Sequence, residues 1–231
     1  MNKKLILVVI GLIALCVLGI NNSYAYTIND PLGDFIGNQA FEIYGMNISS
    51  TTNTITFDIY SDYPQTGHDI TWNGNVWHTF AGDLALDLNG DNVYEYGVAF
   101  TDHNGLVAGG VYRVASWDIS NDYTPSWGYS DWGEIVTIDE SGADLIQMAS
   151  LGWEDIAGDA PKYKWSTTIN ASAFGLTDLN GQNFNAFYSV ATCSNDNIGG
   201  SYTATPEPAS LSLLGLGLLG LFGFGRNKKN R

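Results

Sequence analysis

Asp87-Leu88-Asn89-Gly90-Asp91-Asn92-Val93-Tyr94-Glu95 places oxygen-bearing side chains at positions one, three, five and nine of a tight loop. Alternate residues of such a loop point inward, and Ca²⁺ takes six to eight oxygens at about 2.4 Å. Asp87, Asn89, Asp91 and Glu95 are the Ca²⁺ ligands that this spacing predicts. An acidic hairpin turn without an ion is the other reading of the same residues. A second acidic turn, Asp30-Pro31-Leu32-Gly33-Asp34, stands earlier in the chain. Pro-Leu-Gly is itself a turn signal, so Asp30 and Asp34 either cap it or meet another loop around an ion.

Aromatic rings form a second chemical resource. Trp117, Tyr123, Trp127, Tyr129 and Trp132 fall in a Gly/Ser/Asp-rich segment, and Tyr60, Tyr63, Trp72 and Trp77 in another. Exposed rings beside carboxylates suit sugars, because ring faces stack on C–H surfaces while acids accept hydroxyl protons. Trp127, Tyr129 and Trp132 are the candidate glycan platform; rings that plug the core under long loops are the alternative. The residues point away from catalysis. His68, His78 and His103 are scattered, and no H-E-x-x-H, G-x-S-x-G or phosphate loop occurs. A carboxylate pair of a secreted glycoside hydrolase cannot be singled out among so many acids. Cys193 has no histidine partner in the sequence pattern and reads as a buried structural thiol.

The elements that carry these residues have a period of two. Phe41, Ile43, Met46 and Ile48 suggest one strand, and Ile55, Phe57 and Ile59 a second, with the polar loop Ser49–Asn53 between them. Leu84-Ala85-Leu86 runs into the Asn89-Gly90-Asp91 turn, and Val93–Phe100 returns as its partner. Val111–Trp117, Glu134–Ile138, Tyr163–Ile169 and Phe184–Thr192 bring the total to about eight strands. Asp139–Leu151 is the one helical candidate. Gly-rich turns at this spacing predict an all-β domain, an antiparallel two-sheet β-sandwich.

Between Tyr26 and Thr205 lie 23 of the 24 acidic residues but only three basic ones, Arg113, Lys162 and Lys164, a net charge of −20. Such a surface repels phosphates, which excludes nucleic acid as a partner, and it attracts divalent cations. All seven Trp fall in this segment, enough apolar matter for a packed core. Its 180 residues suit one domain that buries about 70% of its unfolded surface. Cys193 is the only cysteine there. With no internal disulfide available, stability rests on the core.

The two ends read as targeting signals. Met1-Asn2-Lys3-Lys4, the apolar run Leu5–Ile20 and the small residues Ser23 and Ala25 make a signal-peptide pattern, residues 1–25, with cleavage expected between Ala25 and Tyr26. A retained transmembrane anchor is the rival reading of that run. At the far end, Thr205-Pro206-Glu207-Pro208 precedes Ala209–Gly225, 17 residues without a charge, and then the basic tail Arg226–Arg231. Such a length is at the low edge of what spans hydrocarbon (about 17–25 residues), and the basic end favours the cytoplasmic side.

Pro206-Glu207-Pro208, the apolar run and the basic tail together resemble the PEP-CTERM sorting signal of bacterial surface proteins. The resemblance covers residues 205–231, and it places the sorting signal at 204–231 and the extracellular domain at 26–203. It implies that the C-terminal transmembrane helix is a transient anchor in the inner membrane. It also implies that an exosortase reads Pro206, Glu207 and Pro208, cleaves near them and passes the protein to the cell envelope, surface or extracellular matrix. Signal peptidase and the membrane are the other partners implied.

Two looser resemblances concern the domain. Its acidic hairpin departs from an EF-hand, with Gly at position four and Val98 at position twelve between strand-like flanks. It is closer to the D-x-N-x-D loops of Ca²⁺-stabilised extracellular β domains. The hairpin, Tyr112-Arg113-Val114-Ala115-Ser116-Trp117 and Thr192-Cys193-Ser194-Asn195-Asp196 resemble a recurring ectodomain of exosortase-dependent surface proteins over residues 28–200. DOMON-like and jelly-roll or carbohydrate-binding sandwiches are analogous at the level of fold alone. The expected function is thus non-catalytic: a structural or adhesive surface protein, with a Ca²⁺-dependent module binding polysaccharide and a secreted glycoside hydrolase as the alternatives.

Overall fold

Alternation of apolar and polar side chains drives strand formation along the chain, and residues 54–61 illustrate how. Ile55, Phe57 and Ile59 are fully buried while Thr54, Thr56, Asp58 and Tyr60 face outward. Successive side chains of a strand point to opposite faces, so one face of the segment must be covered. The computed structural model describes residues 24–34, 39–72, 74–119, 135–190 and 196–205. Residues 24–205 form one compact unit.

Among the described residues the fold is all-β, with four antiparallel sheets and no α-helix. A five-stranded sheet runs in the order β1 (Tyr24–Asn29), β2 (Ile43–Ser50), β3 (Thr54–Ser61), β13 (Tyr163–Asn170) and β12 (Ser150–Asp155). A six-stranded sheet has the order β11 (Ala143–Met148), β8 (Gly110–Val114), β7 (Tyr96–Val98), β6 (Leu84–Asp87), β14 (Asn183–Ser189) and β15 (Asn197–Thr203). Two small ribbons complete it, β4 (His68–Trp72) with β5 (Asn75–Thr79), and β9 (Trp117–Ile119) with β10 (Ile135–Ile138).

Inward residues of both large sheets share one hydrophobic cluster. Ile48, Phe57, Ile59 and Trp165 come from the first sheet; Leu84, Leu86, Val111, Phe184 and Tyr188 come from the second. Phe100 joins them, stacked on Trp165 at 5.2 Å between centroids and tilted against Tyr188 at 5.5 Å. Each such ring contributes about 1.5–3 kcal/mol by leaving water. A smaller cluster of Ala99, Leu106, Tyr112, Val114 and Ile138 packs beside it. Strand β6 is buried along its whole length, and its last residue, Asp87, opens the acidic hairpin.

The helix expected over Asp139–Leu151 is not formed. Asp139 caps one 3₁₀ turn, Glu140–Gly142, by accepting from Ser141 N at 2.9 Å. The chain then pairs with β8 as strand β11, and after Ala149 it enters β12. Leu145, Ile146 and Met148 mimic helical spacing, yet all three are exposed on this edge strand. Strands β1, β4, β5, β12 and β15 were not expected from the sequence. The expected strand Val93–Phe100 is shorter, forming β7 only at Tyr96–Val98.

Candidate metal centre

The acidic hairpin joins two neighbouring strands of the second sheet, β6 and β7, and Asp87 organises it. Asp87 is fully buried. Its Oδ1 accepts from Asn89 N at 2.9 Å and Gly90 N at 2.7 Å; its Oδ2 accepts from Asn92 N at 2.9 Å and from the Asn185 side chain on β14, also at 2.9 Å. Burial alone would raise the Asp87 pKa, but these four donors outweigh it and hold the carboxyl below its ordinary value. Gly90 and Asn92 take positive φ angles of 78° and 64°, the conformation that Gly and Asn tolerate best, and this turns the loop amides toward Asp87.

The other predicted ligand residues surround it. Asn89 accepts from Asp91 N at 2.8 Å and donates to Glu95 Oε1 at 2.5 Å, while Glu95 Oε2 accepts from Leu88 N at 3.3 Å. Asp91 accepts from Val93 N at 2.9 Å. Asp87, Asp91 and Glu95 each offer a carboxylate oxygen, all within 4.8 Å of one another. Carboxylate oxygens this close could share one ion, for which the ordinary Ca²⁺–oxygen distance is about 2.4 Å. Asn89 lies in the same loop, with its amide engaged to Asp91 and Glu95. Two supporting residues were missed by the sequence reading: Asn185, and Gln182, whose Nε2 donates to Leu88 O at 2.7 Å. Both are more than 90 residues away in sequence, and no local spacing reveals them.

The first acidic turn also meets a distant loop. Oxygens of Asp30, Asp34 and Asp196 lie within 4.8 Å of one another. Asp196 accepts from Ile43 N at 2.7 Å and Asn197 N at 2.8 Å, and nearby buried Glu42 accepts from Gly33 N at 2.8 Å. Burial, then the charges of Asp196, Asp34 and Glu42, push Asp30 up to about 8. Burial likewise pushes Asp196 up to about 7; Asp34 and Glu42 add to this, and the Ile43 amide partly offsets it. Oδ2 of Asp30 is buried and receives no hydrogen bond.

A third carboxylate, Asp83, is structural. It accepts from Phe100 N at 3.1 Å and Ile138 N at 2.9 Å, and His103 Nε2 lies 3.2 Å from its Oδ2. Burial alone would lower the His103 pKa, but Asp83 outweighs it and raises the value to about 9. His103, one of three scattered histidines in the sequence, is therefore a half-buried imidazole whose charged form Asp83 favours. His78 instead pairs with Asp69 at 2.6 Å on the exposed β4–β5 ribbon.

Aromatic positions divide between core and surface. Tyr63 is fully buried and bonded to Thr79 at 2.7 Å, and Trp117 donates to Tyr94 O at 2.8 Å while half-buried. Trp77 and Phe80 are 44% and 47% exposed. Trp127, Tyr129 and Trp132 lie outside the described residues, as do Cys193, the signal segment 1–23 and Pro206, Glu207 and Pro208. Among the described residues no helix is long and apolar enough to cross a membrane, and the Ala209–Gly225 run is outside them.

The described fold ends in order. Ala204, just past β15, is buried, and its amide donates to Gln182 O at 2.8 Å. From there the PEP-CTERM protein-sorting motif matches residues 204–228. An acidic all-β domain followed by a sorting tail defines the class of protein. The chain carries a PEP-CTERM, exosortase-dependent sorting domain, which implies an exported surface protein with an exosortase as its processing partner. No curated protein and no solved structure matches the chain.

Proposed function

We propose that this chain is a non-catalytic structural or adhesive component of the bacterial surface or extracellular matrix. The signal peptide of residues 1–25 exports it, the C-terminal apolar run holds it transiently in the inner membrane, and exosortase cleavage releases its domain to the envelope. The sorting motif at residues 204–228 carries this reading. Its Pro206-Glu207-Pro208 begins two residues after buried Ala204, directly behind exposed Thr205, so cleavage there delivers the whole β domain. The two-sheet sandwich reading is supported by the core that both large sheets share. Replacing Glu207 by Ala tests the assignment. The variant should still insert, because the apolar run and basic tail are intact, but it should accumulate uncleaved in the membrane fraction. Release at the normal level would reject recognition of Glu207.

Ca²⁺ in the acidic hairpin belongs to this reading. Asp87, Asp91 and Glu95 converge there, with no basic side chain among their hydrogen-bond partners within the described residues. An ion would relieve their repulsion and fix the turn between two core strands. A second reading, a Ca²⁺-dependent glycan-binding module, is favoured by the exposed rings of Trp77 and Phe80 near the Asp69–His78 pair. A glycan array probed with and without Ca²⁺ separates the two: binding abolished by Trp77→Ala supports the module, and no binding leaves the structural role.

A further inference from the structure

We infer that the outward face of the β4–β5 ribbon, built by Asp69, His78 and Phe80, is a sugar-binding site for an uncharged polysaccharide. This rests on the second reading above, the glycan-binding module, and names its site and the class of its ligand. The two faces of the ribbon differ. His68 stands opposite Thr79, and Ile70 opposite Trp77. On that face Thr79 is buried, bonded to the Tyr63 hydroxyl at 2.7 Å and donating to His68 O at 2.8 Å, and Ile70 packs on the main core. Side chains alternate along a strand. Asp69 and His78, the pair between those two, therefore face the other way, with exposed Val76 on the same side. One face fastens the ribbon, and the other is left to solvent.

Three neighbours hold His78 in place. Its Nδ1 donates to Asp69 Oδ1 at 2.6 Å, its ring meets Phe80 edge-on at 4.8 Å between centroids, and the backbone of Gly67 lies against it. A Cβ at Gly67 would stand 2.6 Å from His78 Nε2, and φ there is +81°, so glycine suits the position best. The His78 and Asp69 side chains are 45% and 65% exposed. A pair so open to water adds little to stability, so this ordering serves a ligand better than it serves the fold. The set offers what a sugar ring requires. Phe80 is nearly half exposed and stacks on C–H groups; His78 Nε2 and Asp69 Oδ2, which has no hydrogen-bond partner among the described residues, meet hydroxyls.

Charge selects the class of sugar. Uronates and sulfates are recognised through Arg or Lys, and neither β4 nor β5 carries one. The three such residues between 26 and 205 are placed otherwise: Lys162 lies 3.5 Å from Asp62, Lys164 lies 2.6 Å from Glu154, and Arg113 stands on β8 across from Asp144. A net charge of −20 over that segment also repels acidic polymers. An amine-bearing polymer would be drawn to this charge anywhere on the surface, without Phe80. An uncharged polymer must gain its affinity from stacking and hydroxyl contacts at the ribbon.

The test is binding of the exported protein, isolated from its host, to an immobilised glucan, mannan and galactan, with polygalacturonate and chitosan alongside, at low and high salt. At least one uncharged polymer should be bound with an affinity that salt leaves unchanged. Phe80→Ala and His78→Ala should each weaken that binding at least about tenfold, as loss of a stacked ring or of its polar neighbour does, and Phe80→Tyr should keep it. Both positions are on the surface, and cooperative melting of each variant checks its fold. Binding that Trp77→Ala abolishes while Phe80→Ala and His78→Ala keep it would leave the module standing and overturn this site. Binding to polygalacturonate or chitosan alone would overturn the ligand class. No binding to any of the polymers would reject the module and this inference together.

Discussion

At the residue scale, Asp91 and His103 give the sharpest tests. Asp91 is exposed and bonds only within its loop, so Asp91→Ala removes a carboxylate without opening the core. A ligand that binds only the folded state stabilises by about 2.7 kcal/mol at a hundredfold excess over Kd. For a domain of this size that is a shift of roughly 5–10 °C in Tm. Chelator should lower the Tm of the unaltered chain and Ca²⁺ should restore it, with Na⁺ at matched ionic strength as control. Asp91→Ala should lose that part of the response which the hairpin supplies; a full response would leave the hairpin as a bare acidic turn. His103 makes a pH prediction of definite sign. Its folded pKa, about 9, lies above the ordinary 6.5. Its contribution is therefore fully present below about pH 6.5 and is lost as pH rises through about 9. The stability difference between the unaltered chain and His103→Gln should shrink over that window. A difference that grows with rising pH would contradict the Asp83–His103 ion pair.

At the element scale, the bulge in β2 positions both β1 and the cluster beyond it. Register slips between Ile43 and Gly45, and a Cβ on Gly45 would stand 2.8 Å from Ile28 O of β1. Gly45→Ala should therefore push β1 outward, cost about 1–3 kcal/mol and speed amide exchange along β1 more than along β3. Equal exchange in both variants would mean that β1 tolerates the methyl group. Strands whose buried residues alternate, such as β3 with Ile55, Phe57 and Ile59 and β13 with Trp165, Thr167 and Ile169, were legible in the sequence, because period-two burial against one core leaves that trace. The helix expected over 139–151 was not real, since the exposed apolar residues of an edge strand carry no burial signal and happened to fall at helical spacing. Strand β15, Asn197–Thr203, is Gly-rich and polar on its outer face, so pairing with β14 defines it more than its own residues do. In the acidic hairpin, Asp87, Asn89, Asp91 and Glu95 were legible because the loop is local in sequence. The partnership of Asp30 and Asp34 with Asp196 was not, because it depends on the fold bringing residues more than 160 positions apart together.

At the scale of the whole molecule, a net charge of −20 on residues 26–205 and a lone cysteine leave the shared core to hold the fold, against repulsion that cations relieve. Strand β1 starts at Tyr24, two residues ahead of the expected cleavage after Ala25. Cleavage would remove the Tyr24–Ser50 and Ala25–Ser49 pairs and keep the four from Tyr26 to Asn29, a small loss at a sheet edge. On the proposed function, both ends are addresses and the β domain is the cargo. The most direct test of that is the intact mass of the protein recovered from the cell surface, in the native host and in one lacking its exosortase. The predicted species in the native host begins at Tyr26 and ends near Pro206-Glu207-Pro208, and in the exosortase-lacking host it keeps its tail through Arg231 within the membrane fraction. A surface form of identical mass in both hosts, still carrying the Ala209–Gly225 run, would contradict the account.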